Sequence, residues 1–354
     1  MFSHRFTAAL ALSAVALPAA AAENTYLLGN SLTAGMRLPQ YVSDLTETSA
    51  NPDWFVDEFT SPGTTLAALR FEFESRIRPE IDRLDGSWDS VVFQPYDRMI
   101  VDPKAFTDDP ARQRQPDWGD ANNISGILNW FDEAGSDPTV YVYAHFPRIT
   151  PGAVRTADAE ARRDELLADY ANYDFGEQYG QAYTNPTQIR NFETRDYFTQ
   201  LVGAVREQEP DREVFLVPFG DVLDAIDDAA EAGEFADFTD VKELFVDQRH
   251  LQGGLAQYVK AATFYATIVG QDLDALEWER YNNAADWENF YANRDFYGNG
   301  TFRGLDQGTV DFLNDLILDV VTSDPSLTGV IPEPATAGLM AVAGLALLRR
   351  RRSA

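Results

Sequence analysis

Five short runs rich in β-branched, aromatic and aliphatic residues recur along this 354-residue chain: Thr25 to Leu28, Trp54 to Phe59, Ser90 to Phe93, Thr139 to Tyr143 and Glu213 to Val217. Each has the length of a strand. Between them, apolar residues take helical spacing, at Leu66, Leu69, Phe73 and Ile77, at Ile124, Leu128 and Phe131, and at Tyr197, Leu201 and Val205. Short strands alternating with amphipathic helices call for a crossover after each strand, and such crossovers build a parallel sheet covered on both faces. The alternation therefore predicts a three-layer α/β/α sandwich around a five-stranded sheet. Beyond the fifth run, Leu255, Tyr258, Ala262, Tyr265 and Val269 keep a helical stripe that should pack on that sheet.

The strand order expected for this layout is flavodoxin-like, and two long irregular stretches interrupt it. Residues 277 to 304, rich in Asn, Asp, Trp, Tyr and Gly, precede a final amphipathic helix expected from about Gln307 to Thr322, and Pro151 to Arg195 forms a second insertion. Loops of this length in a compact domain are commonly binding loops or lids. Tyr170, Tyr173, Tyr179 and Tyr183 in the insertion would suit stacking on sugar rings, with aromatic packing inside the loop as the alternative. The acidic run Asp224, Asp227, Asp228 and Glu231 has helical spacing without a calcium-loop pattern, so it reads as a solvated helix face rather than a metal site.

Both ends of the chain depart from the domain pattern. Arg5 precedes an uncharged stretch from Ala8 to Ala22 that closes in Ala20-Ala21-Ala22 before Glu23. That order of positive, apolar and small-residue segments reads as a cleavable secretion signal over residues 1–22. A membrane anchor is the alternative, but the short Ala-rich core would partition weakly into hydrocarbon. At the other end, Val330-Ile331-Pro332-Glu333-Pro334 is followed by an apolar run from Ala335 to Leu348 and by Arg349 to Arg352. Together these three parts resemble the PEP-CTERM sorting signal of Gram-negative envelope proteins. The resemblance implies transient membrane contact, cleavage near the motif by an exosortase-type enzyme, and release to the cell envelope or extracellular polymer. A retained transmembrane helix is the alternative. Residues 23–270 then form the main domain, 271–329 an irregular and helical extension packed on it, and 330–354 the tag.

The chain carries 28 basic and 57 acidic residues, a formal net charge of −29, and loss of both ends would leave about −33. Such a surface repels nucleic acid and anionic lipid and disfavours a strongly anionic polymer as substrate. There is no cysteine. Disulfides, thiol catalysis and Cys-ligated zinc are therefore excluded.

Chemistry is expected at the C-terminal ends of the strands, where open α/β sheets bind their ligands. There, Leu27-Leu28-Gly29-Asn30-Ser31-Leu32-Thr33 ends the first strand in a tight turn that exposes Ser31. Ser31 or Thr33 as a simple helix cap is the alternative, and the second glycine of the G-x-S-x-G elbow is missing. Beyond the fifth strand lies Asp247-Gln248-Arg249-His250. A serine hydroxyl needs a base within hydrogen-bond reach and usually a carboxylate to orient that base. His250 and Asp247 can supply both, unless Asp247 only caps the last helix and His250 is a surface residue. A further histidine, His145 in Tyr143-Ala144-His145-Phe146-Pro147, ends the fourth strand on the same edge. It reads as a substrate contact, an alternative base or a structural polar residue.

Taken jointly, Gly29-Asn30-Ser31-Leu32 and the Asp247-x-x-His250 pair resemble the SGNH, or GDSL-like, hydrolases, over roughly Thr25 to Gly270. The resemblance implies a serine esterase that needs no cofactor or metal, with Ser31 as nucleophile, His250 as base and Asp247 as its orienting acid. It further implies an oxyanion hole from Ser31, Gly63 in Ser61-Pro62-Gly63-Thr64-Thr65, and Gln94 in Val91-Val92-Phe93-Gln94-Pro95-Tyr96. Asn30 and His145 become candidates for substrate contact. Gln94 departs from the family, whose third block normally carries asparagine. The implied substrate is an ester, such as an acylated carbohydrate or envelope polymer. The alternative is a noncatalytic glycan-binding or structural envelope protein on the same scaffold, with Gln94 marking a degraded oxyanion hole. Metal-dependent hydrolysis ranks below both, because the histidines are too few for the usual zinc sets.

Overall fold

The five apolar runs become strands β1 (Asn24–Gly29), β2 (Phe55–Thr60), β3 (Ser90–Phe93), β4 (Thr139–Tyr143) and β5 (Val214–Val217). All pair in parallel, in the order β2-β1-β3-β4-β5. The structure is a computed structural model that describes residues 24–34, 55–83, 87–96, 99–100, 119–147, 173–183, 193–235, 240–245, 249–270, 272–273, 276, 278–282 and 304–332. The N-terminal signal, Tyr170, Asp247 and the tag from Glu333 onward lie outside the described residues.

Helices follow the strands as the spacing requires. One face of the sheet carries helices α2 (Leu66–Glu72), α3 (Glu74–Asp82), α4 (Asp120–Glu133) and α6 (Arg195–Gln208). The other carries α7 (Phe219–Glu231), α8 (Leu255–Ile268) and α9 (Gln307–Ser323), with the short α1 (Ser31–Ala34), α5 (Phe175–Tyr179) and α10 (Pro325–Thr328) at the margins. The layers meet through aromatic contacts. Tyr26 on β1 packs 4.8 Å from Trp88 and edge-on to Phe131 of α4, while Tyr143 on β4 meets Phe264 of α8 at 5.0 Å on the opposite face. Offset and edge-on rings of this kind stabilise beyond the area they bury.

Two expectations need correction. The stripe Leu66, Leu69, Phe73 and Ile77 spans two helices rather than one, because Phe73 leaves helical geometry and turns its ring against Phe59 of β2. The acidic run on α7 is not a uniformly solvated face. Asp224 pairs with Arg195 at 2.8 Å, and Asp227 accepts the Val241 backbone N–H at 3.0 Å. Burial pushes the Asp227 carboxyl up to about 6. Asp228 and Glu231 are exposed as expected.

The C-terminal extension packs firmly on the domain. Asp306 caps α9 through the Thr309 N–H, and Tyr258 of α8 donates to Asn314 of α9 at 2.6 Å. Gly329 ends α10 in the left-handed region (φ 79°), beside the Phe215 ring, where a Cβ would come within 2.9 Å. Val330 is still buried, whereas Ile331 is 75 % exposed. Among the described residues no helix is long and apolar enough to cross a membrane.

Candidate active site

The strand order reverses between β1 and β3, and ligand crevices of open α/β sheets form at such a switch point, beyond the C-terminal strand ends. Ser31 and Gln94 follow those two strands. Ser31 opens α1, a single turn set directly on the end of β1. Asn30 closes this turn: its carbonyl accepts the Thr33 N–H at 2.9 Å and its Oδ1 accepts the Leu32 N–H at 3.0 Å.

Gln94 braces the turn from beneath. Its Oε1 accepts the Asn30 backbone N–H at 3.0 Å and the Thr33 hydroxyl at 2.8 Å, and its Nε2 donates to Asn30 Oδ1 at 2.8 Å. This contact needs the glycine at position 29, where a Cβ would lie 2.8 Å from Gln94 Oε1 and 2.6 Å from Thr33 Oγ1. The loop after β2 is tied in as well. Ser61 donates its N–H to the Gly29 carbonyl at 3.2 Å, and Asn30 Nδ2 donates to the Thr64 carbonyl at 3.1 Å. Gly63 forms the exposed tip of that loop with φ 69°, a conformation that favours glycine.

His250 arrives from far along the chain. Its Nε2 stands 3.3 Å from Ser31 Oγ across 219 positions of sequence, and both side chains are partly exposed. The loop carrying His250 is closed at its base by an antiparallel bridge between Phe245 and Leu251 and by the Gln252 N–H, which donates to the Leu244 carbonyl at 2.7 Å. Arg249 fastens its other side. Its guanidinium donates to the Tyr96 hydroxyl and to Glu193 Oε1, both at 2.8 Å, and lies 5.2 Å from the Tyr96 ring centroid. Glu193 is 4 % exposed, so this is an ion pair largely withdrawn from water.

His145 is placed differently. It is fully buried, with Nδ1 3.2 Å from the Phe146 carbonyl and Nε2 3.1 Å from the Pro95 carbonyl, and its ring meets Phe198 edge-on at 5.1 Å. Burial lowers its pKa, with nearby Glu193 opposing and Arg249 assisting. In this position His145 joins the loops after β3 and β4 and presents no exposed surface. Of the insertion tyrosines, Tyr179 is fully buried and donates to Asp221, Tyr183 packs edge-on to Tyr197 at 4.9 Å, and Tyr173 packs against the core. These three are packing residues rather than an open stacking platform.

The structure therefore brings Ser31, Asn30, Gln94 and His250 together, with Gly63 on the adjoining loop, and holds His145 buried against the Phe146 and Pro95 carbonyls. Glu193, Tyr96 and Lys260 are not legible from the sequence as site residues, and Arg249 stands there only as a neighbour of His250. A visible trace for Lys260 is that it alone carries charge in the otherwise uncharged segment Leu255–Ile268.

No protein-family model matches the chain, and no curated protein matches its sequence. Solved structures do overlap it. A putative SGNH hydrolase from Slackia heliotrinireducens is 17 % identical with a TM-score of 0.35, over 69 % of this chain and 100 % of its own. A catalytic mutant of an acetylxylan esterase from Geobacillus stearothermophilus is 12 % identical with a TM-score of 0.40, over 73 % of this chain and 97 % of its own. A lipase from a goat rumen metagenome is 12 % identical with a TM-score of 0.31, over 56 % of this chain and 82 % of its own. Overlaps at this level do not carry a functional assignment, which rests on the site itself.

Proposed function

We propose that the chain is an exported serine esterase of the SGNH type that removes acyl groups from a neutral substrate, an acylated carbohydrate of the envelope or extracellular polymer. The observation that carries this reading is the 3.3 Å approach of His250 Nε2 to Ser31 Oγ at the sheet's switch point. In the reaction, Ser31 attacks the ester carbonyl while His250 takes its proton and later returns it to the leaving alcohol. Asp247, three residues before His250, orients the imidazole. The Ser31 and Gly63 N–H groups serve as donors to the developing oxyanion. Gln94 uses one amide hydrogen to hold Asn30 and offers the other to the same oxyanion.

The neutral substrate follows from the net charge of −29, which disfavours an anionic polymer. Export and C-terminal processing rest on the two ends of the sequence.

One observation favours a noncatalytic glycan-binding protein instead: the Gln94 amide already bonds Asn30 and is only 2 % exposed. Hydrolysis of p-nitrophenyl acetate, abolished by Ser31→Ala, together with fluorophosphonate labelling mapped to Ser31, decides between the readings. A folded protein with neither Ser31-dependent turnover nor label at Ser31 would leave only the binding role.

A further inference from the structure

Helix α8 is buried on every side, and in its middle sits Lys260, 0 % exposed. A buried ammonium carries a heavy desolvation penalty that an aliphatic side chain of similar volume would avoid. Its surroundings indicate what the amine does. Nζ donates to the Leu32 carbonyl of α1 and lies 5.3 Å from the Tyr143 ring centroid. Burial pushes the Lys260 amine well below its ordinary pKa, and the nearby Glu58 carboxyl of β2 opposes that shift.

A helical turn of four residues leaves its carbonyls without intrahelical partners. Lys260 supplies one for Leu32. The peptide joining Leu32 to Thr33 is thereby held at both ends, its carbonyl by Lys260 and its N–H by the Asn30 carbonyl at 2.9 Å. Gln94 and Asn30 grip the same turn from the strand side. Ser31 stands between the two grips.

We propose that Lys260 is a positioning residue for the Ser31 nucleophile, clamping α1 through the Leu32 carbonyl so that Ser31 Oγ stays aligned with His250. The proposal rests on the serine-esterase reading. It requires the loss of Lys260 to act on the chemical step more than on substrate binding. Lys260→Met should lower kcat for p-nitrophenyl acetate about tenfold or more with KM within about twofold.

The absence of cysteine permits a conservative rescue. Lys260→Cys, alkylated in denaturant with 2-bromoethylamine and refolded, regains an amine of lysine's reach. It should return kcat to within about threefold of wild type taken through the same steps. A folded Lys260→Met protein with wild-type kcat overturns the proposal, as does a refolded, alkylated Lys260→Cys protein that stays impaired. If Lys260→Met does not fold, Lys260→Gln, which keeps part of the stem and removes the charge, carries the same comparison.

Ser31→Ala separates the two hypotheses. If the wild type shows no Ser31-dependent turnover, the esterase reading fails, and hydrogen exchange at the Thr33 amide then tests the clamp alone. Faster exchange in Lys260→Met supports it, and unchanged exchange refutes it.

Discussion

His145, at the end of β4, and His250, ahead of α8, sit at the same edge of one sheet, yet their surroundings differ in every respect that matters for chemistry. His145 has no exposed surface, and both its ring nitrogens face backbone carbonyls. His250 lies at a partly open surface with Nε2 turned to a serine hydroxyl. The cause is the loops. The chain after β4 folds inward under Phe198 and Phe146, whereas the loop before α8 is held outward by the Phe245–Leu251 bridge and the Arg249 clamp. A histidine at the ligand-binding edge is thus not a site residue by location alone. What decides is which groups its nitrogens meet, two backbone carbonyls for His145 and the Ser31 hydroxyl for His250.

The largest effect expected from this contrast is at His250. His250→Ala should lower kcat by about 10⁴-fold while leaving unfolding free energy within about 0.5 kcal/mol, because the proposed reaction uses it as the base and its side chain is partly exposed. Steady-state kinetics and urea unfolding check both halves. A variant that keeps most of its activity would erase the distinction between the two histidines.

Gln94 comes next. Gln94→Ala strips partners from the Asn30 N–H, Asn30 Oδ1 and the Thr33 hydroxyl. It should lower kcat about a hundredfold, near 2.7 kcal/mol, with little change in KM. Gln94→Asn sharpens the test. Its amide is one methylene short of Asn30, so it should recover only part of the rate, whereas full recovery would mean that the turn needs an amide but not the longer reach.

His145→Gln should act on stability and not on turnover. Losing one of two buried contacts to carbonyls should destabilise by roughly 2 kcal/mol while kcat stays within about twofold. Thermal unfolding and kinetics on the folded fraction measure this. A large loss of kcat without loss of stability would return His145 to the site.

The smallest effect is its pH dependence. The folded pKa of His145 is depressed, so below the unfolded value of about 6.5 the unfolded chain takes up a proton that the folded one resists. Its contribution is full above that value and declines as pH falls toward the folded pKa. The destabilisation caused by His145→Gln should therefore be smaller at pH 5 than at pH 8. An equal difference at both pH values would mean that His145 titrates alike folded and unfolded.

The layers were legible because their signals are local. Runs such as Ser90 to Phe93 and Thr139 to Tyr143 became strands with the same bounds, and the stripe from Leu255 to Val269 became one helix with Val269 at its C-cap. Ser31 and His250 were legible as residue types in a recognisable order. The break at Phe73 was not, since an apolar period of 3 to 4 continues through it and only the Phe59 ring across the gap explains the turn. The inward folding of His145 was equally hidden, because Pro95 and Phe198 lie 50 and 53 positions away.

Composition, charge and periodicity by themselves determined the three-layer plan, the absence of thiol chemistry and the edge of the sheet where chemistry belongs. The first and last follow from residues close together in the chain, and the second from a count over all of it. The tertiary structure alone decided which polar groups meet. Lys260 lies off the apolar stripe of its helix, and spacing would send it to solvent. Instead α9 and the segment Trp278–Asn282 pack against the helix, leaving the ammonium to find the Leu32 carbonyl 228 positions away. Gln94 is an oxyanion-hole candidate by resemblance, but its bonds to Asn30 exist only once β1 and β3 pair and set it under that residue. Burial and hydrogen-bond partnership depend on what the rest of the chain places around a residue, and no local pattern encodes that.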